Sequence, residues 1–345
     1  MTQPRISCLI PIYNGEAFLE AALDSLITQT FQDFEIIAVD DGSTDKTAAI
    51  LARYAESEPR LRILSKPNGG IVSALNHGLA ACRGAFVARM DCDDLAVPER
   101  FSIQLEAFAN RADAVAIGGL IQHIDDVGAV HGVPSSPSRV EATDLSSFPP
   151  VVANVQHSAG MFRRDAMEAI GGYRSTFPHA EDYDLYLRLA QHGRFFNPDK
   201  LVLYYRVHSS SLSMRNLERQ ETSAVLAEIS AYARRAGLPD PGDAGEPLGI
   251  DDYARVVATL CPAETIRRYI AFRLWRRIAG AGGADEPARR AAVIRGLLSP
   301  RNHATRFDRG LNRRIVLSMG RKLVRIARTN PMQLLGRRRA VKLAR

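Results

Sequence analysis

Two hydrophobic rhythms alternate along the first third of the chain. Continuous apolar runs of strand length are followed by stretches in which apolar residues return every three or four positions, the helical period. RISCLIPIYN predicts a strand ending in a turn, and EAFLEAALDSLITQ a helix with Phe18, Ala22, Leu23 and Leu26 on one face. FEIIAVDDGSTD is a strand and turn, and KTAAILARYAES a helix that Thr44 or Asp45 would cap. LRILSK is a strand, PNGG a turn, IVSALNHGLAACRG a helix and AFVARMD a fourth strand. PERFSIQLEAFAN is a helix with Pro98 in its first turn, and AVAIGGLIQHID is a single fifth strand. Buried-type strands alternating with helices predict a mainly parallel α/β sheet flanked by helices.

Further on, the rhythm loosens. HGVPSSPSRVEATDLSSFPPVV is rich in Pro and Ser and predicts a loop over the sheet. SAGMFRRDAMEAIGGYRSTF predicts strand, helix and Gly-Gly turn, EDYDLYLRLAQHG a helix stopped at Gly193, and RFFNPDKLVLYYRVH a pair of strands. The remainder is helical in pattern, interrupted by the linker-like GLPDPGDAGEPLG at 237–249 with its three Pro and four Gly. The expected division is an α/β domain over residues 1–215 and a helical extension over 216–345.

Charge sharpens that division. Residues 1–250 carry 22 Lys/Arg against 32 Asp/Glu, a net of −10, and residues 251–345 carry 23 against 6, a net of +17. LNRRIVLSMGRKLVRIAR, at 311–328, is amphipathic if helical, with Leu311, Ile315, Met319, Leu323 and Ile326 opposite most of its arginines. Together with Trp275 among arginines and the GRRRAVKLAR tail, this suits an anionic membrane surface as a partner of residues 251–345; helices packed on the α/β domain with arginine to solvent are the plainer alternative. No nucleic-acid motif accompanies the charge, so no nucleic acid is expected. No apolar run reaches membrane-spanning length, and the first apolar stretch is too short for a signal peptide. The four cysteines form no CxxC pair and read as reduced structural thiols. The expectation is a cytoplasmic protein, peripheral at most on the inner membrane face.

In an open α/β sheet, ligands bind beyond the carboxyl ends of the strands, and the polar clusters of this chain fall there. Tyr13 and Asn14 follow the first strand, Asp40 and Asp41 the second, and Asp91, Asp93 and Asp94 the fourth. Three carboxylates at the end of a buried strand repel one another. A divalent cation would offset them, since Mg²⁺ and Mn²⁺ prefer oxygen ligands. Cys92 points to the other side of an extended backbone and reads as packing, and Asp94 as a cap. Asp40 and Asp41 suit an acceptor for the imide N–H of a pyrimidine, with Tyr13 as an apolar face for the base; turn chemistry and core packing are the plainer roles. No GxGxxG follows the first strand, so this is not a dinucleotide fingerprint.

The blocks from LIPIYNGEAF to VDDGSTDKT, then NGGIVSALNHG to ARMDCDD, then GGYRSTFPHAEDYDLYLRL, resemble family 2 glycosyltransferases, inverting enzymes with the GT-A fold. The resemblance runs from about residue 5 to 213, in the family's order and spacing. It implies that Pro11, Ile12, Tyr13, Asn14, Asp40 and Asp41 line a nucleotide pocket, with Lys66 and Asn68 on a donor-side loop. Asp91 and Asp93 match the D-x-D motif, touching diphosphate and Mg²⁺ or Mn²⁺, with Asp93 the direct ligand. Asp182 matches the general base, with Glu181 beside it, and His208 in YRVHSSSLS would close over the diphosphate and metal. The implied partners are a nucleotide-diphospho-sugar, UDP-linked as is commonest in the family, and a saccharide or lipid-linked acceptor.

The chain departs from the family in having Ala74-Leu75-Asn76 where an arginine is usual, and in lacking the Q-x-x-R-W motif and membrane helices of processive members. A non-processive enzyme of cell-surface polysaccharide, lipopolysaccharide or other glycoconjugate synthesis is implied. The rivals are a sugar-phosphate nucleotidyltransferase, for which PIYNGEAF lacks the basic glycine-rich turn, and an inactive nucleotide-sugar-binding relative.

Overall fold

The computed structural model describes residues 3–146, 150–208, 217–257, and 266, 267, 269, 270, 272 and 273. Described residues up to Gly249, apart from Ser146, form one compact unit, and those from Ile250 onward belong to a second. Trp275, the 311–328 segment and the basic tail lie outside the described residues.

The first unit is built on two sheets. Strands β1 (Ile6–Ile12), β2 (Phe34–Asp40), β3 (Leu61–Ser65), β4 (Phe86–Arg89), β6 (Ala114–Ile117), β9 (Met161–Arg163) and β10 (Arg194–Phe196) form a seven-stranded sheet in the order β10-β6-β9-β4-β1-β2-β3. Every neighbouring pair is parallel except those made by β9, which runs antiparallel to both β4 and β6. The second sheet has the order β5-β11-β7-β8, with β5 (Leu95–Ala96), β7 (Leu120–Ile124), β8 (Val130–Ser135) and β11 (Leu201–Arg206).

All seven residues of β1 and of β2 are buried, which explains their unbroken apolar runs. Cys8, Ile10 and Ile12 face a core shared with α1 (Leu19–Ile27), α2 (Thr47–Ala55) and α4 (Arg100–Ala109). Leu9, Ile37 and Val39 face the opposite core, shared with α3 (Ile71–Ala81), α5 (Arg164–Ala169) and α6 (Glu181–Leu189). Parallel register places Ile12 beside Asp40 and Asp40 beside Ser65. The ends of β1, β2 and β3 therefore open onto one edge.

Four sequence expectations are corrected. AVAIGGLIQHID is two strands in two sheets, because the chain leaves the first sheet at Gly118-Gly119. A Cβ on Gly118 would lie 2.2 Å from Asn197 Oδ1, so only glycine passes there. RFFNPDKLVLYYRVH makes the same crossing: β10 pairs with β6 in the first sheet and β11 with β7 in the second, so the two strands are not paired with each other. Part of the expected loop near 130–160 is β8, antiparallel to β7. The 237–249 stretch is no loose linker: Asp240 binds Arg174 at 2.8 Å, and Gly242 accepts from Thr176 Oγ1 at 2.7 Å. Two smaller differences concern helix starts. Lys46, not Thr44 or Asp45, is the cap residue of α2, although Asp45 still accepts the Thr47 N–H at 2.9 Å. Glu99 is the cap residue of α4, which leaves Pro98 one residue ahead of it.

Helix α7 (Leu217–Arg235) belongs to the first unit and reaches α6 through Tyr183, whose hydroxyl donates to Glu228 at 2.8 Å. In the second unit, α8 (Ile250–Val256) carries Asp251, which pairs with Arg267 at 2.7 Å.

Candidate active site

The edge at β1, β2 and β3 is built from turns that satisfy their own polar groups. Asn14 follows β1 with a φ of +51°, a conformation asparagine tolerates better than most residues. Its N–H donates to Ser43 Oγ at 2.9 Å and its Oδ1 accepts from the Thr44 N–H at 2.8 Å. Asp40 Oδ1 accepts from the Ser43 N–H at 2.9 Å. Asp41 is buried and takes the N–H groups of Gly69 and Gly70 at 3.0 and 2.8 Å, plus Lys66 Nζ at 2.5 Å. Gly42, with a φ of +74°, lets the turn pass the Asn68 backbone, where a Cβ would sit 2.7 Å from the Asn68 nitrogen. Pro11 and Ile12 are buried, while Tyr13 is 53% exposed, so its ring is available rather than spent in the core. Pro11, Ile12, Tyr13, Asn14, Asp40, Asp41, Lys66 and Asn68 thus come together on one edge.

At the end of β4 the aspartates stand close: one oxygen each of Asp91, Asp93 and Asp94 lies within 4.8 Å of the others. Each also has a protein partner. Arg89 holds both oxygens of Asp91, one of them at 2.5 Å through Nη1. His208 Nε2 lies 2.9 Å from Asp93 Oδ2. Asp94, almost wholly buried, accepts the Arg206 N–H at 2.7 Å, and Ser158 Oγ accepts the Asp91 N–H at 2.9 Å. Burial pushes the Asp91 carboxyl up, against Arg89, and the Asp93 charge adds to it. Burial first, then the Asp91 and Asp93 charges, push Asp94 well above the usual carboxylate range. Asp94 Oδ2 is buried without a hydrogen-bond partner. An oxygen-only donor set with an orphaned carboxylate oxygen fits a hard divalent cation. Cys92, in the turn after β4, packs against the first core.

The third part of the site is the start of α6. His179 turns the chain with a φ of +65°, and Glu181 and Asp182 are the first two helical residues. Asp182 Oδ1 accepts from the Tyr183 N–H at 2.7 Å. Burial raises the Asp182 carboxyl, opposed by the Tyr183 N–H and the Arg89 charge. Burial, then the Asp182 charge, pushes Glu181 up to about 7, and its Oε2 is buried without a partner. Arg89 also faces a buried pair: His157 Nε2 lies 2.9 Å from the Tyr173 hydroxyl. Burial and the Arg89 charge hold His157 well below its ordinary range, so it is neutral. Where the family has an arginine, Leu75 is fully buried, and Asn76 instead clasps the Tyr173 backbone at 2.8 and 2.9 Å.

Sequence reasoning missed Arg89 and Arg206. The signal for Arg89 was a charged residue inside the apolar run AFVARMD, since an arginine is seldom fully buried unless paired. The signal for Arg206 was its place two residues before His208, on the same side of an extended chain.

Comparison with known proteins places these residues in context. Residues 7–171 match the profile described as glycosyl transferase family 2. Chondroitin synthase of Pasteurella multocida is 28% identical over 218 residues, 63% of this chain and 22% of that protein. The chain spans about a quarter of the length of the synthases it matches. Among solved structures, residues 1–349 of S. aureus TarS in complex with UDP-GlcNAc superpose with a TM-score of 0.53 at 18% identity, covering 87% of this chain and 94% of that one. The mannosyltransferase PcManGT from Pyrobaculum calidifontis, in complex with GDP-Man and Mn²⁺, superposes with a TM-score of 0.52 at 18% identity, covering 94% and 88%. The fold is that of GT-A glycosyltransferases.

Proposed function

From the premise that this chain belongs to glycosyl transferase family 2, we propose that it moves a sugar from a nucleoside-diphosphate donor, UDP-linked, to an acceptor hydroxyl with inversion. The observation that carries this reading is the cluster at the end of β4, where one oxygen each of Asp91, Asp93 and Asp94 lies within 4.8 Å of the others and Arg89 pairs with Asp91. The UDP-GlcNAc and GDP-Man bound by the two structural neighbours support a nucleotide-sugar donor, and the Mn²⁺ of the second supports a cation.

The prebuilt edge at β1–β3 receives the nucleoside: Tyr13 offers a ring face, and Asp40 and Asp41 hold the turn that borders the base. Lys66 and Asn68 border the same pocket. Asp93, with Asp91 and His208 beside it, would hold Mg²⁺ or Mn²⁺. Such a cation, when bound, would supply positive charge to the departing diphosphate. Asp182 takes the proton of the acceptor hydroxyl as its oxygen bonds to the anomeric carbon. The bond from that carbon to the diphosphate oxygen breaks, and its electron pair leaves with the nucleoside diphosphate. Asp182 must be ionised for this, so the rate rises as pH climbs through its raised pKa. Glu181, with its pKa raised to about 7, is largely protonated below neutral pH and there avoids a second negative charge beside the base.

Similarity to chondroitin synthase supports a saccharide acceptor in cell-surface polysaccharide or glycoconjugate synthesis. The test is calorimetric binding of UDP, dTDP, GDP and CMP, each with Mn²⁺ and with EDTA. UDP is expected to bind best and more tightly with the cation than in EDTA, and Asp93→Asn to lose the cation-dependent part. Equal binding of all four in EDTA would refute the reading.

A further inference from the structure

Arg206 ends β11 with its side chain almost wholly buried, yet it forms no ion pair with any of the three aspartates. Its Nε and Nη1 donate to main-chain oxygens. Nε donates to the Asp93 carbonyl at 2.8 Å, and Nη1 to the Asp125 and Asp126 carbonyls at 2.7 and 3.1 Å. Its own N–H donates to Asp94 Oδ1 at 2.7 Å. The guanidinium lies 4.7 Å from the centroid of the Phe18 ring, which also meets the His208 ring with centroids 5.1 Å apart. One side chain therefore joins the acidic turn, the β7–β8 turn and the entry to α1.

We infer that Arg206 is the positioning residue of the cation site: by gripping the Asp93 carbonyl it orients the Asp93 carboxylate toward His208 while leaving every ligating oxygen of that carboxylate free of the guanidinium. The inference deepens the proposed function and rests on Asp93 being a cation ligand. The physics is a matter of geometry. A guanidinium is a planar fork that donates in several fixed directions at once, whereas an ammonium is a point charge on a flexible stem. A salt bridge to Asp93 would compete with a cation for the same oxygens; a bond to its carbonyl places positive charge nearby without that competition. His208 follows two residues later on the same side of the chain and reaches Asp93 Oδ2 at 2.9 Å, so the same strand end sets both the turn and its imidazole neighbour.

The test compares Arg206→Gln and Arg206→Lys with the unaltered chain in three measurements. These are UDP binding by calorimetry in Mn²⁺ and in EDTA, Mn²⁺ binding alone by electron paramagnetic resonance, and hydrogen exchange of the amides of residues 91–94. Arg206→Gln is expected to weaken Mn²⁺-dependent UDP binding about 10–100-fold, the usual cost of losing a group that orients a metal ligand. Binding in EDTA should be unchanged, and exchange at 91–94 faster while β1–β3 keep their protection. Arg206→Lys should recover only part of the Mn²⁺ effect. An intact Mn²⁺-dependent increment in Arg206→Gln, or equal losses with and without cation, would overturn the positioning role. If the unaltered chain binds UDP no better in Mn²⁺, the donor reading fails, and exchange decides separately: unchanged protection at 91–94 in Arg206→Gln overturns the inference, and loss of protection there upholds the grip on the turn.

Discussion

The β1–β3 edge and the carboxylate cluster around Arg89 lie on the same unit but solve opposite electrostatic problems. On the first, Asp41 is surrounded by donors: two backbone N–H groups and one ammonium satisfy it without any ligand. On the second, Asp91, Asp94, Glu181 and Asp182 all have carboxyls raised by burial, and two oxygens have no partner. The first region is a finished mould whose shape is paid in its own hydrogen bonds. The second is underneutralised and reaches balance only by taking up protons or positive charge. Under the proposed function, the rigid turns would receive the nucleoside part of the donor and the electrostatic imbalance would lie at the reacting end.

The comparison can be broken most decisively at Asp182. Asp182→Asn should cut turnover by about 10²–10⁴-fold, the usual worth of a positioned base, with UDP affinity unchanged. Turnover within a few-fold of the unaltered chain would move the base elsewhere. Next in size is Asp41→Ala, which leaves Lys66 and the Gly69 and Gly70 N–H groups without their acceptor. A loss of about 2–4 kcal/mol in denaturant unfolding is expected, together with weaker nucleotide binding. If stability is unaltered, the edge is not held by its own bonds and the contrast fails.

The smallest effect sharpens the other side. Glu181 has a folded-state pKa of about 7 against 4.5 for the ordinary residue, so the folded chain keeps a proton that the unfolded chain loses. Stability should therefore fall as pH rises from 4.5 to 7, by up to about 3 kcal/mol. Glu181→Gln should flatten that dependence and stabilise the chain above neutral pH, as read from urea unfolding at pH 5 and pH 8. An identical slope in both proteins would mean that another group carries the proton.

Much of the β1–β3 edge was readable in advance, because its determinants are local, whereas a donor-side role for Lys66 and Asn68 was implied only by the family resemblance. Turn chemistry in DDGST and PNGG, and apolar runs ending in polar residues, place Asp40, Asp41, Lys66 and Asn68 without knowledge of distant contacts. The carboxylate cluster was readable only as a list of acids. Its suggested remedy was a cation alone, whereas Arg89, His208, Ser158 and the Arg206 N–H each already engage the acidic turn.

By itself, then, the order of apolar runs and helical periods determined β1 to β4, α1 to α4 and the residues that end on the β1–β3 edge, since each depends on neighbours within one or two turns of chain. The tertiary structure alone decided that GGLIQHID leaves one sheet for another and that β9 runs against its neighbours. It also decided that Arg206 and His208 meet aspartates more than a hundred residues away. Those outcomes turn on which side chains arrive together and how closely backbones can approach, as at Gly118 and Asn197. No local pattern encodes such distances; close packing and the need to partner buried charge do.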